Sequence, residues 1–256
     1  MGGSKIGKDI QDGSAYRDAQ DAYDSTLSQP LPYVIKKFGE TSVYIGQLDL
    51  GTNRHGYGIM KYTNGRQYEG SWENDLRVGE GYERYHNGNT YSGYFKAGKA
   101  NGHGVYTWVN GEVYDGEWLR GNKQGHGMWK GVKGDSYVGE WFSSKANGYG
   151  VHLYPSGDKY EGMWKMGLKH GQGTDIFISG EQYVGDFDQG KMHGKGVYKY
   201  ENGQIYNGEF FNGERQGKGQ WRSSENLTQS NTYEGDWHHD VKHGMGVFTW
   251  VSGNVY

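Results

Sequence analysis

The sequence predicts an all-β fold: an elongated single-layer antiparallel sheet in which about nine β-hairpins stack as a solenoid. Three observations predict it. A five-residue block, Tyr-x-Gly-x-aromatic, recurs in nine copies at a spacing close to 23 residues, the first with Leu48 in the aromatic place. Glycine and aromatics are enriched together, with 47 Gly among 256 residues and 16% Phe, Trp and Tyr. Asn-Gly dipeptides punctuate the intervals. Glycine normally makes up roughly 7% of a protein, and a glycine-rich chain poor in aromatics reads as disordered. Both rising together implies tight turns between short strands that pack through rings.

The elements follow in chain order. Residues 1–32 form a polar N-terminal arm without the repeat. Within it, residues 14–27 read equally as one weak helix, with Tyr16, Ala19, Tyr23 and Leu27 on one side, or as a disordered tail stopped by Pro30 and Pro32. Residues 33–43 read as a capping strand, since Phe38 falls in the phase of a repeat's second-strand aromatic. The repeats occupy 44–256 and open at Tyr44, Tyr68, Tyr91, Tyr114, Tyr137, Tyr160, Tyr183, Tyr206 and Tyr233, with Tyr256 in the opener phase of a tenth. The spacings are 24, then six of 23, then 27 and 23.

Within a repeat the first strand, as in Tyr114-Asp-Gly116-Glu-Trp118, alternates with period two, so Tyr, Gly and Trp share a face. The glycine leaves a gap into which a ring fits. The second strand, as in Gly196-Val-Tyr198-Lys-Tyr200, alternates too, and Val105, Val151, Val197 and Val247 point to the other face. Asn87-Gly88, Asn110-Gly111 and Asn202-Gly203 supply the positive φ of the connecting turns. Departures are few. Asp75 and Ser144 stand in place of the fourth-position Gly, Gly131 and Ser223 in place of the second-strand aromatic, and a four-residue insertion lies within 223–232. One hairpin is marginal alone, so stability must come from neighbours. Nine hairpins at about 4.8 Å per strand extend the sheet to roughly 85 Å.

The motif Tyr-x-Gly-x-aromatic, with the following glycines at Gly98, Gly102, Gly104 and Gly111 in the third repeat, resembles the MORN family (membrane occupation and recognition nexus) over 44–256. The resemblance implies an elongated, twisted single sheet. Some members carry a methyltransferase or lipid-kinase domain after the repeats; this sequence has no such segment.

Chemistry finds little purchase. A net charge of −3 gives no global basic field for nucleic acid. The absence of Cys removes disulfides, zinc thiolates and thiol catalysis. No run approaches the roughly 18 apolar residues of a membrane helix, and no signal-peptide core is present, so the expectation is a cytoplasmic protein. Gly93-Tyr-Phe-Lys-Ala-Gly98-Lys99 and Gly185-Asp-Phe-Asp-Gln-Gly190-Lys191 mimic a P-loop but lack its Ser/Thr and share one repeat phase, so the period explains them. His55, His86, His103, His126, His170, His193 and His243 recur at or near turns, which points to a structural role such as bonding the backbone. His238, His239 and His243 form the one dense cluster, better read as a solvated turn than as a weak metal site. Glu69, Glu117, Glu140, Glu161 and Glu234 recur beside the repeat Gly as an outward ladder, not a catalytic pair. The chain is expected to have no catalytic residue, cofactor or metal, and no small-molecule substrate.

A single sheet cannot cover both its faces. Rings such as Tyr68, Trp72, Tyr85, Phe95, Trp108 and Trp118 are therefore candidates to receive a partner's helix or extended segment. Val247, Phe248 and Trp250 are candidates for an edge-strand contact, because no cap is visible after the ninth repeat. The strand there is expected to be covered by a partner chain, a second copy or further residues. By resemblance to repeat-only members of ciliary radial-spoke heads, the expected function is a non-catalytic scaffold for other structural proteins in a cilium or axoneme. The alternatives are a phospholipid-binding tether and an accessory module for an enzyme on another chain. Met1-Gly2-Gly3-Ser4-Lys5-Ile6 opens like a myristoylation signal but has Ile6 where Ser or Thr is preferred.

Overall fold

The computed structural model describes residues 31–256. The possible helix at 14–27 and the Gly2 signal lie outside them. The chain divides into two compact units, one running to Gly121 and the other starting at Asn122.

The first unit is an antiparallel run of eight strands: β1 (Tyr33–Phe38), β2 (Ser42–Leu48), β3 (Arg54–Lys61), β4 (Gln67–Glu73), β5 (Leu76–Arg84), β6 (Thr90–Lys96), β7 (Lys99–Thr107) and β8 (Val113–Leu119). Each pairs with the next in sequence. The second continues the pattern with β9 (Asn122–Lys130), β10 (Ser136–Phe142), β11 (Lys145–Leu153), β12 (Lys159–Lys165), β13 (Leu168–Ile176), β14 (Gln182–Asp188), β15 (Lys191–Lys199), β16 (Ile205–Phe211), β17 (Glu214–Arg222), β18 (Thr232–His238) and β19 (Val241–Thr249). The fold is the all-β stack of hairpins that the period predicts. The residues of the insertion form the one other regular element, a 3₁₀ turn at Leu227–Gln229 capped by the Asn226 side chain. Among the described residues no helix is long and apolar enough to cross a membrane.

Two kinds of turn alternate. Within every repeat but the first, where five residues intervene, two residues join the strands and both have positive φ, as at Ala97 and Gly98 (49° and 78°) or Asn74 and Asp75 (48° and 65°). This is the type I′ geometry that suits the strand twist. Between repeats, the Gly88 N–H donates to the Tyr85 carbonyl at 3.0 Å. Only the glycine of Asn87-Gly88 is left-handed. Asn87 contributes differently from the sequence expectation: its side-chain oxygen accepts from the Asn89 N–H at 3.1 Å. Tyr85 and Trp108 are the first residues of such turns, not strand residues.

A β-bulge interrupts the second strand opposite the repeat's first in eight of the repeats. In β7, residues 101–103 face Tyr94 alone, between the pairs Gly93–Gly104 and Phe95–Ala100. Five of the recurring histidines, His55, His103, His170, His193 and His243, sit at or beside these bulges inside strands, and His126 lies within β9, which corrects their assignment to turns. Two of them meet acids: His103 meets Asp115 at 3.0 Å and His170 meets Asp188 at 3.2 Å. In three repeats the bulge amide is satisfied by the acid that follows the repeat Gly, only Glu140 among them belonging to the outward ladder. Glu140 accepts from the Tyr149 N–H, and Asp186 and Asp236 from those of Lys195 and Met245, each at 3.0 Å.

Candidate interaction surface

The openers are the core. All nine are buried, and each donates its phenol O–H to the carbonyl three residues on, at 2.8–3.0 Å. That bond lays the ring flat over two glycines, its own strand's and the partner strand's, such as Gly70 and Gly81 beneath Tyr68. The ring then receives edges from two sides. Tyr68 is met by Trp72 of its own repeat at 5.0 Å and by Phe95 of the next at 5.1 Å, both near perpendicular. Tyr160 is met by Trp164 and Phe187 in the same way, both at 5.1 Å. Such edge-to-face pairs contribute about 0.5–1.5 kcal/mol each beyond buried area. Where the second ring is Trp, its Nε1–H also donates to the carbonyl of a glycine in the preceding repeat, as Trp72 does to Gly58 at 3.1 Å and Trp164 to Gly150 at 3.2 Å.

This zipper decides which predicted rings face outward. Tyr68, Trp72 and Phe95 are withdrawn into it, with 0%, 3% and 1% exposure. They leave the candidate surface because their faces and edges are already occupied. Tyr85, Trp108 and Trp118 are half-buried. Together with Tyr106, which sequence reasoning passed over, they form an outer row: Tyr106 lies 5.7 Å from Tyr85, 4.6 Å from Trp108 and 6.0 Å from Trp118. The Asn89 Nδ2–H donates to the Tyr106 hydroxyl at 2.7 Å and fixes it. Tyr106 was legible as a second-strand ring paired with Tyr91, but nothing in the period marked it as more exposed than an opener.

Beside this row lies a cavity of about 290 Å³, lined by Tyr85, Tyr106, Trp118 and Ala100 and by the charged Arg66, Arg77, Glu83 and Lys99. Glu83 occupies the strand position that Tyr106 fills in the next repeat. It is 1% exposed and held by Arg66 and Arg77 together. A buried carboxylate is tolerable only when paired in this way.

The edge candidates lie in the second unit. Val247 and Trp250 are exposed, and Phe248 stacks on Trp221 at 6.4 Å and lies 4.7 Å from Trp250. The expectation that nothing caps this edge needs correction. The chain turns back after Trp250, and Tyr256 exchanges both backbone bonds with Phe248, each at 2.9 Å. The edge is thus covered at residues 248–250. The P-loop mimics fall on strand pairs closed by two-residue turns, Lys96 opposite Lys99 and Asp188 opposite Lys191. In the histidine cluster, the His239 Nδ1 meets Glu214 at 2.6 Å and the His238 Nδ1 meets Gln216 at 3.0 Å. Among the described residues no three His, Cys, Asp or Glu are placed to hold a metal ion.

The family model described as MORN repeat matches residues 52–65, 68–90, 91–113, 114–136, 137–159, 160–180, 183–205, 206–226 and 233–255. No curated protein matches the chain significantly. Among solved structures, the TCP10 domain of Danio rerio CPAP in complex with a STIL peptide is 10% identical, over 83% of this chain and 97% of that one, with a TM-score of 0.44. The same domain alone is 9% identical over 87% and 97%, with a TM-score of 0.42. The Drosophila melanogaster SAS-4 (dCPAP) TCP domain in complex with a proline-rich motif of Ana2 is 13% identical over 71% and 99%, with a TM-score of 0.38. Likeness at this level carries no argument about function.

Proposed function

The chain belongs to the MORN-repeat family, and from that premise we propose that it is a non-catalytic scaffold holding structural proteins together in a ciliary or axonemal assembly of the radial-spoke-head kind. The observation that carries the interaction reading is the outer row of the first unit. Tyr85 and Tyr106 lie outside the zipper, and with Trp118, a zipper ring left half-exposed, they line a cavity in which apolar surface and charged groups alternate. Half-buried aromatics beside a charged rim are the surface that protein partners use. Two of the acids singled out in the sequence are engaged within the fold: Glu69 accepts from the Tyr57 hydroxyl at 2.5 Å, and Glu161 from that of Tyr149 at 2.6 Å. The ciliary part rests on resemblance to the repeat-only relatives, through nine repeats in one array.

The test is the tagged full chain expressed in a ciliated cell, compared with the double variant Tyr85→Ser/Tyr106→Ser. Axonemal placement, with cross-linked structural partners lost in the variant, supports the proposal. Flotation with liposomes, or co-purification with an enzyme and no structural partner, would replace it with the tether or the accessory-module reading.

A further inference from the structure

One strand position supplies lids to the zipper. Nine residues after four of the openers, and ten after Tyr44, a cation lies over the zipper ring of the following repeat. Arg54 sits 4.2 Å from the Trp72 ring, Arg77 5.1 Å from Phe95, Lys169 5.6 Å from Phe187 and Arg215 4.5 Å from Trp237. These lids have the cation–π geometry. In the third repeat the position is Ala100, cross-strand from Phe95, and the ring it fails to cover is Trp118. The consequence is measurable. Trp72, Trp141, Trp164 and Trp237 are each at most 8% exposed, whereas Trp118 is only half-buried and borders the cavity of about 290 Å³. Ala146 holds the same position in the second unit, yet Trp164 is 8% exposed, so among these two repeats the missing cation goes with an open ring only in the third.

We propose that this cavity is a docking pocket for a partner polypeptide that inserts one aliphatic side chain flanked by an acidic residue. The inference rests on the reading above that partners meet this face. The floor, Phe95, Trp118 and the methyl of Ala100, calls for an apolar group, and about 290 Å³ has room for one aliphatic side chain together with part of its neighbour. The seventh repeat places its own aliphatic side chain, Met192, at the same position, cross-strand from Phe187. A free cation is the wrong occupant here, although it is what the other repeats supply. Arg66, Arg77 and Lys99 already face the single carboxylate of Glu83, and Arg66 and Arg77 share it. That surplus of positive charge selects an acid beside the anchor.

The test is a titration of the full chain with acetyl-Glu-Leu-Glu amide and acetyl-Lys-Leu-Lys amide, followed by the nuclear magnetic resonance shifts of the Trp118 indole and the Ala100 amide. The acidic peptide is expected to move both signals and the basic peptide neither. Ala100→Met, which fills the cavity as the seventh repeat does, is expected to weaken the acidic peptide at least tenfold. Lys99→Glu, at the exposed rim, leaves the packing intact and should weaken it as well. Equal response to both peptides, no response, or binding that survives both variants overturns the pocket. If Ala100→Met keeps the cross-linked partners that Tyr85→Ser/Tyr106→Ser loses, the pocket is wrong and the scaffold reading stands. If that double variant loses no partner, the scaffold reading itself fails.

Discussion

The phenol oxygen of Tyr160 lies 2.7 Å from the point where Gly162 would carry a Cβ. The other atoms nearest that point are the Gly173 Cα at 2.5 Å and the Gln172 carbonyl at 2.7 Å, both backbone of the paired strand. Nothing flexible is available to move. Gly162→Val is therefore expected to destabilise by about 3 kcal/mol, the upper end of ordinary overpacking. Gly167, in the tip of the same hairpin, has no atom within 4 Å of its Cβ position but a φ of +90°, so Gly167→Ala should cost only the strain, about 1 kcal/mol. Urea midpoints compare the two. Equal losses would show that space is not what reserves position 162 for glycine.

Alkaline pH should unfold this protein steeply. Burial lifts the phenols of Tyr44, Tyr91, Tyr114, Tyr137, Tyr160 and Tyr183 well above the ordinary tyrosine range, and lifts Tyr206 to about 12. A raised acid keeps its proton when folded and loses it near pH 10 when unfolded. Stability is thus full below about pH 10 and falls as pH rises toward and through the folded values. Each such group contributes a slope of up to about 1.4 kcal/mol per pH unit. Urea midpoints on either side of pH 10, with phenolate absorbance read in parallel, check this. Phenolate in excess of what the exposed tyrosines can supply, appearing before any loss of structure, would contradict it.

The tips of two hairpins use aspartate where most use glycine. Asp75 holds φ +65° and accepts at one carboxylate oxygen from both the Arg54 N–H (2.9 Å) and its Nε–H (2.8 Å), and Asp240 does the same for Arg215. Arg54 is the lid on Trp72, so the tip also holds a zipper ring. Asp75→Ala loses the acceptor and keeps the left-handed strain, at an expected cost of about 2 kcal/mol. Asp75→Gly relieves the strain and should cost about half as much. A reversed order in thermal unfolding would place the value of Asp75 elsewhere.

The repeat, the strands and the shared face of Tyr, Gly and Trp were legible because a 23-residue period over nine copies averages out local noise. What stayed hidden depends on geometry the period does not encode. Gly88 and Gly102 look alike in sequence, yet one closes a turn and the other marks a bulge inside β7. That is why the histidines beside the second kind were assigned to turns. Asp240 passed unnoticed although it repeats the substitution at Asp75. Rings that look equivalent divide by depth: Trp72 carries a lid and Trp118 does not, and the difference is set by Arg54 and Ala100, residues of the preceding repeat.

The edge of β19 carries the last prediction. In the β17–β18 pair, Trp221 faces Tyr233, Gly219 faces Gly235 and Gly217 faces Trp237, whose Nε1–H donates to the Gly219 carbonyl at 3.2 Å. Tyr256 opposite Phe248 reproduces the first of those pairs on β19. Alternation along the strand then turns the N–H and C=O of Gly246 outward. Tyr233 is met by Trp237 at 5.5 Å, and the side on which every other opener of its unit meets a following-repeat ring is bordered by the half-covered edge. An extended segment reading Gly-x-aromatic fits that register. We expect the native assembly to place such a strand along residues 244–246, and hence to slow exchange of the Gly246 amide at least tenfold relative to the isolated chain. Phe248→Lys, which breaks the stack on Trp221 at the head of this site, should weaken assembly more than it weakens the strands β1 to β8, as amide exchange in the first unit would report. The backbone also refines the choice of substitution. Val247 points its N–H toward β18, so Val247→Pro would damage the repeat itself and cannot isolate the edge. A native complex in which the Gly246 amide exchanges as fast as in the isolated chain would leave this edge without a role in assembly.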